Sequence, residues 1–190
     1  ELGLDIVPII IHGVNYMMPK GSFACYGGSV NMHIGKRIDS IDSLWGKDYS
    51  KTTKLIHKYY VNEYAKLKKE YETTSFFTSL LLDRYKYKGM EVMSTIRSNM
   101  KKFGNYSKYI DRDILEEIVF IKHSGYGEMA LLFALVHPDK KIVAYEKDYE
   151  KCELARYAAE GLVNNILFLS ESEPIIDETE KTLVYDWSTL

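Results

Sequence analysis

Residues 111–190 alternate between short apolar runs and helical patterns, and this alternation constrains the fold more than any other feature of the sequence. The apolar runs have the length and the branched side chains of buried strands, and they cover Ile118–Lys122, Lys141–Glu146, Asn165–Leu169 and Thr182–Asp186. Helical patterns separate them over Glu128–His137, from Asp148 to about Glu160, and as a weak acidic stretch before the fourth run. Strands that alternate with helices through short links pair in parallel, with helices on the sheet faces. We therefore expect an α/β fold with a parallel half-sheet in this region.

A loop with two glycines follows the first of these strands. Gly125-Tyr126-Gly127 lies between the strand and its helix, where glycine lets the backbone approach a ligand and the helix N-terminus offers unpaired N–H donors. Glu146 ends the next strand, 21 residues after Gly125, where an acid can accept hydrogen bonds from ribose hydroxyls. Asp186 ends the fourth strand. The glycine loop and Glu146 predict a nucleoside-binding site at the carboxyl edge of the sheet.

This arrangement resembles the Rossmann-like methyltransferases that depend on S-adenosylmethionine. In that family the first strand usually ends in an acid, and Gly-x-Gly-x-Gly follows. Here His123 stands in the place of the acid and Met129 in that of the third glycine. The resemblance implies a methyltransferase-type half-sheet with S-adenosylmethionine as the cofactor. The cofactor-binding residues that it implies are Gly125, Gly127, Glu146 and Asp186.

The first 40 residues carry a second resemblance. Three segments match the closing part of the bacterial glycerophospholipid (1-acyl-glycerol-3-phosphate) acyltransferases, and they are Asp5–Gly13, Met18–Phe23 and Met32–Ile38. That family uses a His-x-x-x-x-Asp pair as its base and a Glu-Gly-Thr-Arg block for the phosphate. Neither motif occurs in this sequence, so we expect no catalytic residue for acyl transfer here. The resemblance implies an upstream acyltransferase domain in the same polypeptide.

The same residues predict a pair of strands. The β-branched run over residues 5–13 should bulge at Pro8 or lie at a sheet edge, because proline has no backbone donor. The second strand, over residues 30–38, alternates apolar and polar positions, which predicts that Val30, Met32 and Ile34 face a core.

The net charge of −2 is the sum of two unlike halves, which carry +7 over residues 1–110 and −9 over residues 111–190.

Residues 48–104 show three helical stripes, with Thr73 or Thr74 as the cap of the second and Gly104 after the third. Residues 47–108 hold 14 Lys/Arg against 6 Asp/Glu and 8 of the 16 tyrosines. Basic faces with aromatic residues suit an anionic membrane surface, although a solvated lysine face over core tyrosines has the same pattern. No nucleic-acid motif occurs, and we expect no nucleic-acid partner.

Cys25 and Cys152 lie in different halves without metal-ligand spacing, which predicts free thiols in the cytoplasm and no metal site. No uncharged stretch reaches the ~20 residues of a spanning helix, so any membrane contact should be peripheral to the inner membrane. The chain opens at Glu1 in the middle of a pattern, as expected for part of a longer protein. Three parts are expected, over residues 1–40, 41–110 and 111–190.

Three functions stay open at this point. The first is the C-terminal part of an acyltransferase of phospholipid synthesis with an accessory Rossmann-like domain. The second is an S-adenosylmethionine-dependent methyltransferase or another nucleoside-binding domain. The third is a scaffold or membrane-docking module without catalysis.

Overall fold

The computed structural model describes residues 5–20, 23, 25–39, 48–102, 104–172, 174 and 182–189. The first part contains β1 (Ile9–His12), α1 (Val14–Met17) and β2 (Asn31–Ile34). A helical region follows, with α2 (Tyr49–Tyr71), α3 (Thr74–Tyr85), α4 (Met90–Lys102), a 3₁₀ turn (Gly104–Tyr106) and α5 (Ser107–Ile110). The last part contains β3 (Ile118–Lys122), α6 (Glu128–Val136), β4 (Lys141–Tyr145), α7 (Tyr149–Ala159), β5 (Ile166–Leu169) and β6 (Thr182–Asp186).

Strands β3 to β6 form a parallel sheet in the order β5-β4-β3-β6. The register aligns Ile121 of β3 with Ala144 of β4 and with Tyr185 of β6. Each strand agrees with its predicted run to within one residue at either end. The predicted α/β fold with a parallel, Rossmann-like half-sheet is therefore confirmed. The predicted acidic helix before β6 lies mostly outside the described residues.

Helix α6 fills the space between the sheet and the helical region. Every residue from Glu128 to Leu135 is buried, as expected for a helix that is apolar on all sides. Helix α3 packs against α6 and α4 packs against α3, so the helical region forms a layer over this face of the sheet. Leu81 of α3 and Ile96 of α4 belong to the same hydrophobic core as Ile121 of β3.

Helices α2 and α3 begin where short polar side chains cap them. The Asp48 carboxylate accepts a hydrogen bond from Lys51 N–H at the start of α2, at 3.2 Å. Of the two predicted caps of α3, Thr73 has this role, since its hydroxyl accepts from Phe76 N–H at 3.2 Å. Within the described residues, no helix has the length and apolar content that crossing a membrane requires.

Strands β1 and β2 pair antiparallel, and the apolar positions of β2 lie on the exposed side of the pair. Ile10 and His12 of β1 are buried on the side that packs against α2. The residues on the other face are about half to two-thirds exposed, and they are Ile9, Ile11, Met32 and Ile34. Val30 is exposed as well. The prediction that the apolar positions of β2 face a core is therefore wrong, because the helix that covers this pair lies on its more polar face.

Candidate functional site

The carboxyl ends of β3, β4 and β6 meet at one edge of the sheet. The chain passes from β3 through β4 to β5 and then returns to β6 on the other side of β3. The order of the strands thus reverses beside β3, and such a reversal is where open α/β sheets bind ligands. Lys122 at the end of β3 lies in register with Tyr145 of β4 and Asp186 of β6. The predicted site residues therefore come from neighbouring strand ends.

The loop after β3 is tightly folded. His123, Gly125 and Gly127 have φ angles of 54°, 58° and 78°, all in the left-handed region. Ser124 N–H donates to the Tyr145 carbonyl at 3.0 Å, and Gly127 N–H donates to the Ser124 carbonyl at 2.8 Å. A left-handed residue other than glycine is uncommon, and such residues cluster at functional sites. The backbone of His123 therefore marks this loop as one whose shape is imposed by its surroundings.

The two glycines of the loop have different surroundings. A Cβ atom at Gly127 would lie 2.6 Å from Ala155 Cβ and 2.8 Å from Phe168 Cε1, so this glycine lets α6 pack closely on α7 and β5. A Cβ atom at Gly125 would have no heavy atom within 4 Å. Gly125 is therefore the glycine that leaves space beside the loop, while Gly127 serves packing.

Glu146 joins the loop to the end of β4. Gly125 N–H donates to Glu146 Oε2 at 2.8 Å, and Asp148 N–H donates to Oε1 at 3.1 Å. A carboxylate has about four acceptor positions, so these two bonds leave acceptor capacity on a side chain that is only half-buried. The structure thus brings two predicted site residues, Gly125 and Glu146, into direct contact.

Asp186 and Trp187 lie at the end of β6. The Asp186 carboxylate accepts hydrogen bonds from Ser188 N–H at 3.0 Å and from Ser188 Oγ at 2.6 Å. These bonds, with His123 and Lys122 nearby, hold the pKa of Asp186 below its usual range. Trp187 N–H donates to the Lys122 carbonyl at 3.0 Å, which fixes the chain that leaves β6 against the end of β3. The switch point therefore presents an ionised carboxylate, whereas the indole ring of Trp187 packs against the Tyr106 ring, with ring centres 5.1 Å apart.

A buried carboxyl group at the start of α6 was not among the predicted site residues. Glu128 is 1% exposed, and its Oε1 accepts hydrogen bonds from Asn99 Nδ2 at 2.9 Å and Tyr106 Oη at 3.1 Å. Its Oε2 has no partner among the described residues. Burial raises the pKa of Glu128. The sequence signal for this group is an acid that opens an otherwise apolar helix.

The remaining sequence candidates differ in their exposure to solvent. Met129 is buried in the core, and His123 is exposed. Cys25 is exposed and Cys152 is buried, and both are free. No group of three acidic, histidine or cysteine side chains among the described residues could hold a metal ion.

The strand order and the loop define a Rossmann-like α/β fold. No protein-family model matches the chain, and no curated protein matches it. Among solved structures, the chain is similar to a mutant of MtNAS in complex with S-adenosylmethionine, with 20% sequence identity and a TM-score of 0.31. The match covers 67% of this chain and 48% of that chain, so this chain spans about half of its length.

That similarity is too low to bear on the ligand of this chain, and the fold assignment depends on the strand order itself. None of the comparisons supports the acyltransferase resemblance of residues 1–40. The upstream acyltransferase domain and the anionic membrane surface stay predictions.

Proposed function

We propose that the carboxyl edge of the parallel sheet binds a nucleoside, with S-adenosylmethionine as the ligand, in a domain of the methyltransferase type. The observation that carries this proposal is the contact between Gly125 and Glu146. This contact brings together a glycine with free space beside it and a carboxylate that can accept further hydrogen bonds. Both lie at the sheet edge where the strand order reverses. These are the two parts that a nucleoside site needs, since one admits the ligand and the other binds ribose hydroxyls.

The residues at this edge fit the parts of S-adenosylmethionine. Glu146 would accept hydrogen bonds from the ribose hydroxyls, and Gly125 would let the ligand lie against the backbone of the loop. Asp186 offers a carboxylate, which attracts a cation such as the sulfonium group. When bound, S-adenosylmethionine supplies a methyl group activated by that positive sulfur.

Calorimetric titration of the full chain with S-adenosylmethionine tests the proposal. Removing hydrogen bonds to a charged acceptor costs about 1.5–3 kcal/mol each, so Glu146→Gln should weaken binding by about tenfold or more. Glu150→Gln is the matched control, because that side chain is exposed on the first turn of α7 and should leave affinity unchanged. Circular dichroism of each variant verifies that the fold is retained.

A second arm examines the cationic end of the ligand. Asp186→Asn should weaken binding of S-adenosylmethionine more than that of S-adenosylhomocysteine, because only the former carries the positive sulfur. If millimolar S-adenosylmethionine produces no heat of binding and no shift in the melting temperature, the proposal is refuted and a scaffold function is favoured. Equal losses in Glu146→Gln and Glu150→Gln would also refute the role of Glu146.

A further inference from the structure

A pocket lies between α1, the segment over residues 25–30 and α3. Its volume is about 140 Å³, which is room for several water molecules. None of its lining residues belongs to the carboxyl edge of the parallel sheet. The side chains that matter for its chemistry are Tyr16, Ser29, Ser75, Phe76, Ser79 and Asp83.

Asp83 is the only charged residue among the described residues that line this pocket. Its half-buried carboxylate makes no ion pair or hydrogen bond to another described residue. Arg84, the next residue in the sequence, does not pair with this carboxylate. Its guanidinium donates instead to the carbonyls of Tyr16 and Glu160, each at 3.1 Å. The guanidinium of Arg84 also lies 3.4 Å from the centre of the Tyr26 ring. The carboxylate of Asp83 is therefore left for a partner that comes from outside.

Glycines set the shape of the pocket next to this carboxylate. A Cβ atom at Gly27 would lie 2.8 Å from Asp83 Cγ, so a side chain there would displace the carboxylate. Gly13, which lines the pocket, has a φ of +99°, and a Cβ atom there would lie 2.2 Å from the Ser29 carbonyl oxygen. Only glycine fits at either position without movement of its neighbours.

The remaining walls are hydroxyl groups and aromatic rings. Tyr16 and Phe76 pack edge to face, with their ring centres 5.7 Å apart. The Tyr16 hydroxyl donates to Glu72 Oε1 at 2.8 Å, and burial raises the pKa of Tyr16, so this group stays neutral. The rings attract a cation, and the serine hydroxyls can accept hydrogen bonds from its N–H groups.

We propose that this pocket binds a small primary ammonium compound, with Asp83 as its counter-ion and Phe76 and Tyr16 as aromatic walls. An ammonium group matches the single negative charge, the hydroxyl acceptors and the rings at once. A carboxylate or a phosphate would be repelled by Asp83. The ligand chemistry is that of a free amine or of an aminated lipid head group.

Calorimetric titration of the full chain with ethanolamine tests this proposal, and ethylene glycol is the neutral probe of similar size. Ethanolamine should bind and ethylene glycol should not. Asp83→Asn should weaken ethanolamine binding by about tenfold or more, and Phe76→Leu by about two- to fivefold. Asp139→Asn is the matched control, because its side chain is 72% exposed, and it should leave binding unchanged.

Co-sedimentation with vesicles identifies the source of the amine. Binding to phosphatidylethanolamine vesicles that Asp83→Asn abolishes would support the proposal with a lipid head group as the ligand. Ethanolamine binding without vesicle binding would support it with a free amine. No binding of ethanolamine, equal binding of ethylene glycol, or unchanged binding in Asp83→Asn would each overturn it.

Discussion

The two glycines of the loop after β3 should respond very differently to the same substitution. Gly127→Ala places a methyl group 2.6 Å from Ala155 Cβ and 2.8 Å from Phe168 Cε1. Because these atoms belong to α7 and β5, the backbone has to shift, and overpacking of this kind costs about 1–3 kcal/mol. The left-handed φ of +78° adds about 1–2 kcal/mol for an L-residue. We expect Gly127→Ala to lower the free energy of unfolding by about 2–5 kcal/mol.

Gly125→Ala is the matched control within the same loop. Its φ of +58° carries a similar backbone cost, but a methyl group there meets no heavy atom within 4 Å. The expected loss is therefore about 1–2 kcal/mol. The difference between the two variants, about 1–3 kcal/mol, measures the close packing of α6 on α7 and β5.

Urea unfolding followed by circular dichroism measures both losses against the unsubstituted chain, provided that the m values agree. A loss in Gly125→Ala as large as that in Gly127→Ala would contradict the assignment of packing to Gly127. The same variants separate stability from binding. If the loop admits S-adenosylmethionine beside Gly125, Gly125→Ala should reduce its affinity although the protein remains folded.

Two further predictions concern stability. Burial raises the pKa of Glu128 above its ordinary value of 4.5, so the folded state binds this proton more tightly than the unfolded state does. The unfolding free energy should therefore fall as pH rises from 4.5 through the folded-state pKa, and urea unfolding of Glu128→Gln across that range should lack this fall. Thr73→Ala removes the cap of α3 and should cost about 1 kcal/mol in thermal unfolding, whereas Thr95→Ala, at an exposed position inside α4, is a control with no cap to lose.

The parallel sheet could be predicted from the sequence because its two central strands, β3 and β4, are short apolar runs that are largely buried. Apolar runs of this length that alternate with helical patterns through short links predict parallel strands. The strand pair β1–β2 could not be predicted in the same way. Alternation shows that a strand has two unlike faces, but the neighbouring element decides which face is covered.

In β1 that neighbour is α2, and its end supplies a polar partner. His12 Nε2 lies 3.0 Å from Glu72 Oε1, and the rings of Tyr64, Tyr71 and Phe76 surround the imidazole. The bond to Glu72 satisfies one ring nitrogen of this buried histidine, whereas its Nδ1 has no partner among the described residues. The isoleucines on the other face of β1 remain exposed as a consequence.

The residues of the candidate site also differ in whether the local sequence could predict them. Gly125 and Glu146 could be predicted because the loop and the strand end are set by local sequence and by the strand order. The cluster around Glu128 could not, since its partners Asn99 and Tyr106 come from the helical region, 29 and 22 residues earlier. Nothing in the local pattern of α4 or of the 3₁₀ turn indicates that they meet the start of α6.

This cluster implies that the helical region positions the glycine loop. The loop is held by the sheet through the bond from Ser124 N–H to the Tyr145 carbonyl. On its other side, Tyr85 Oη donates to the Tyr126 carbonyl at 2.5 Å, and Glu128 accepts from Asn99 and Tyr106. Because α6 is buried on every side, the sheet alone cannot cover it, and the helices supply the missing surface. The shape of the proposed nucleoside site thus depends on residues that precede the sheet as well as on the sheet itself.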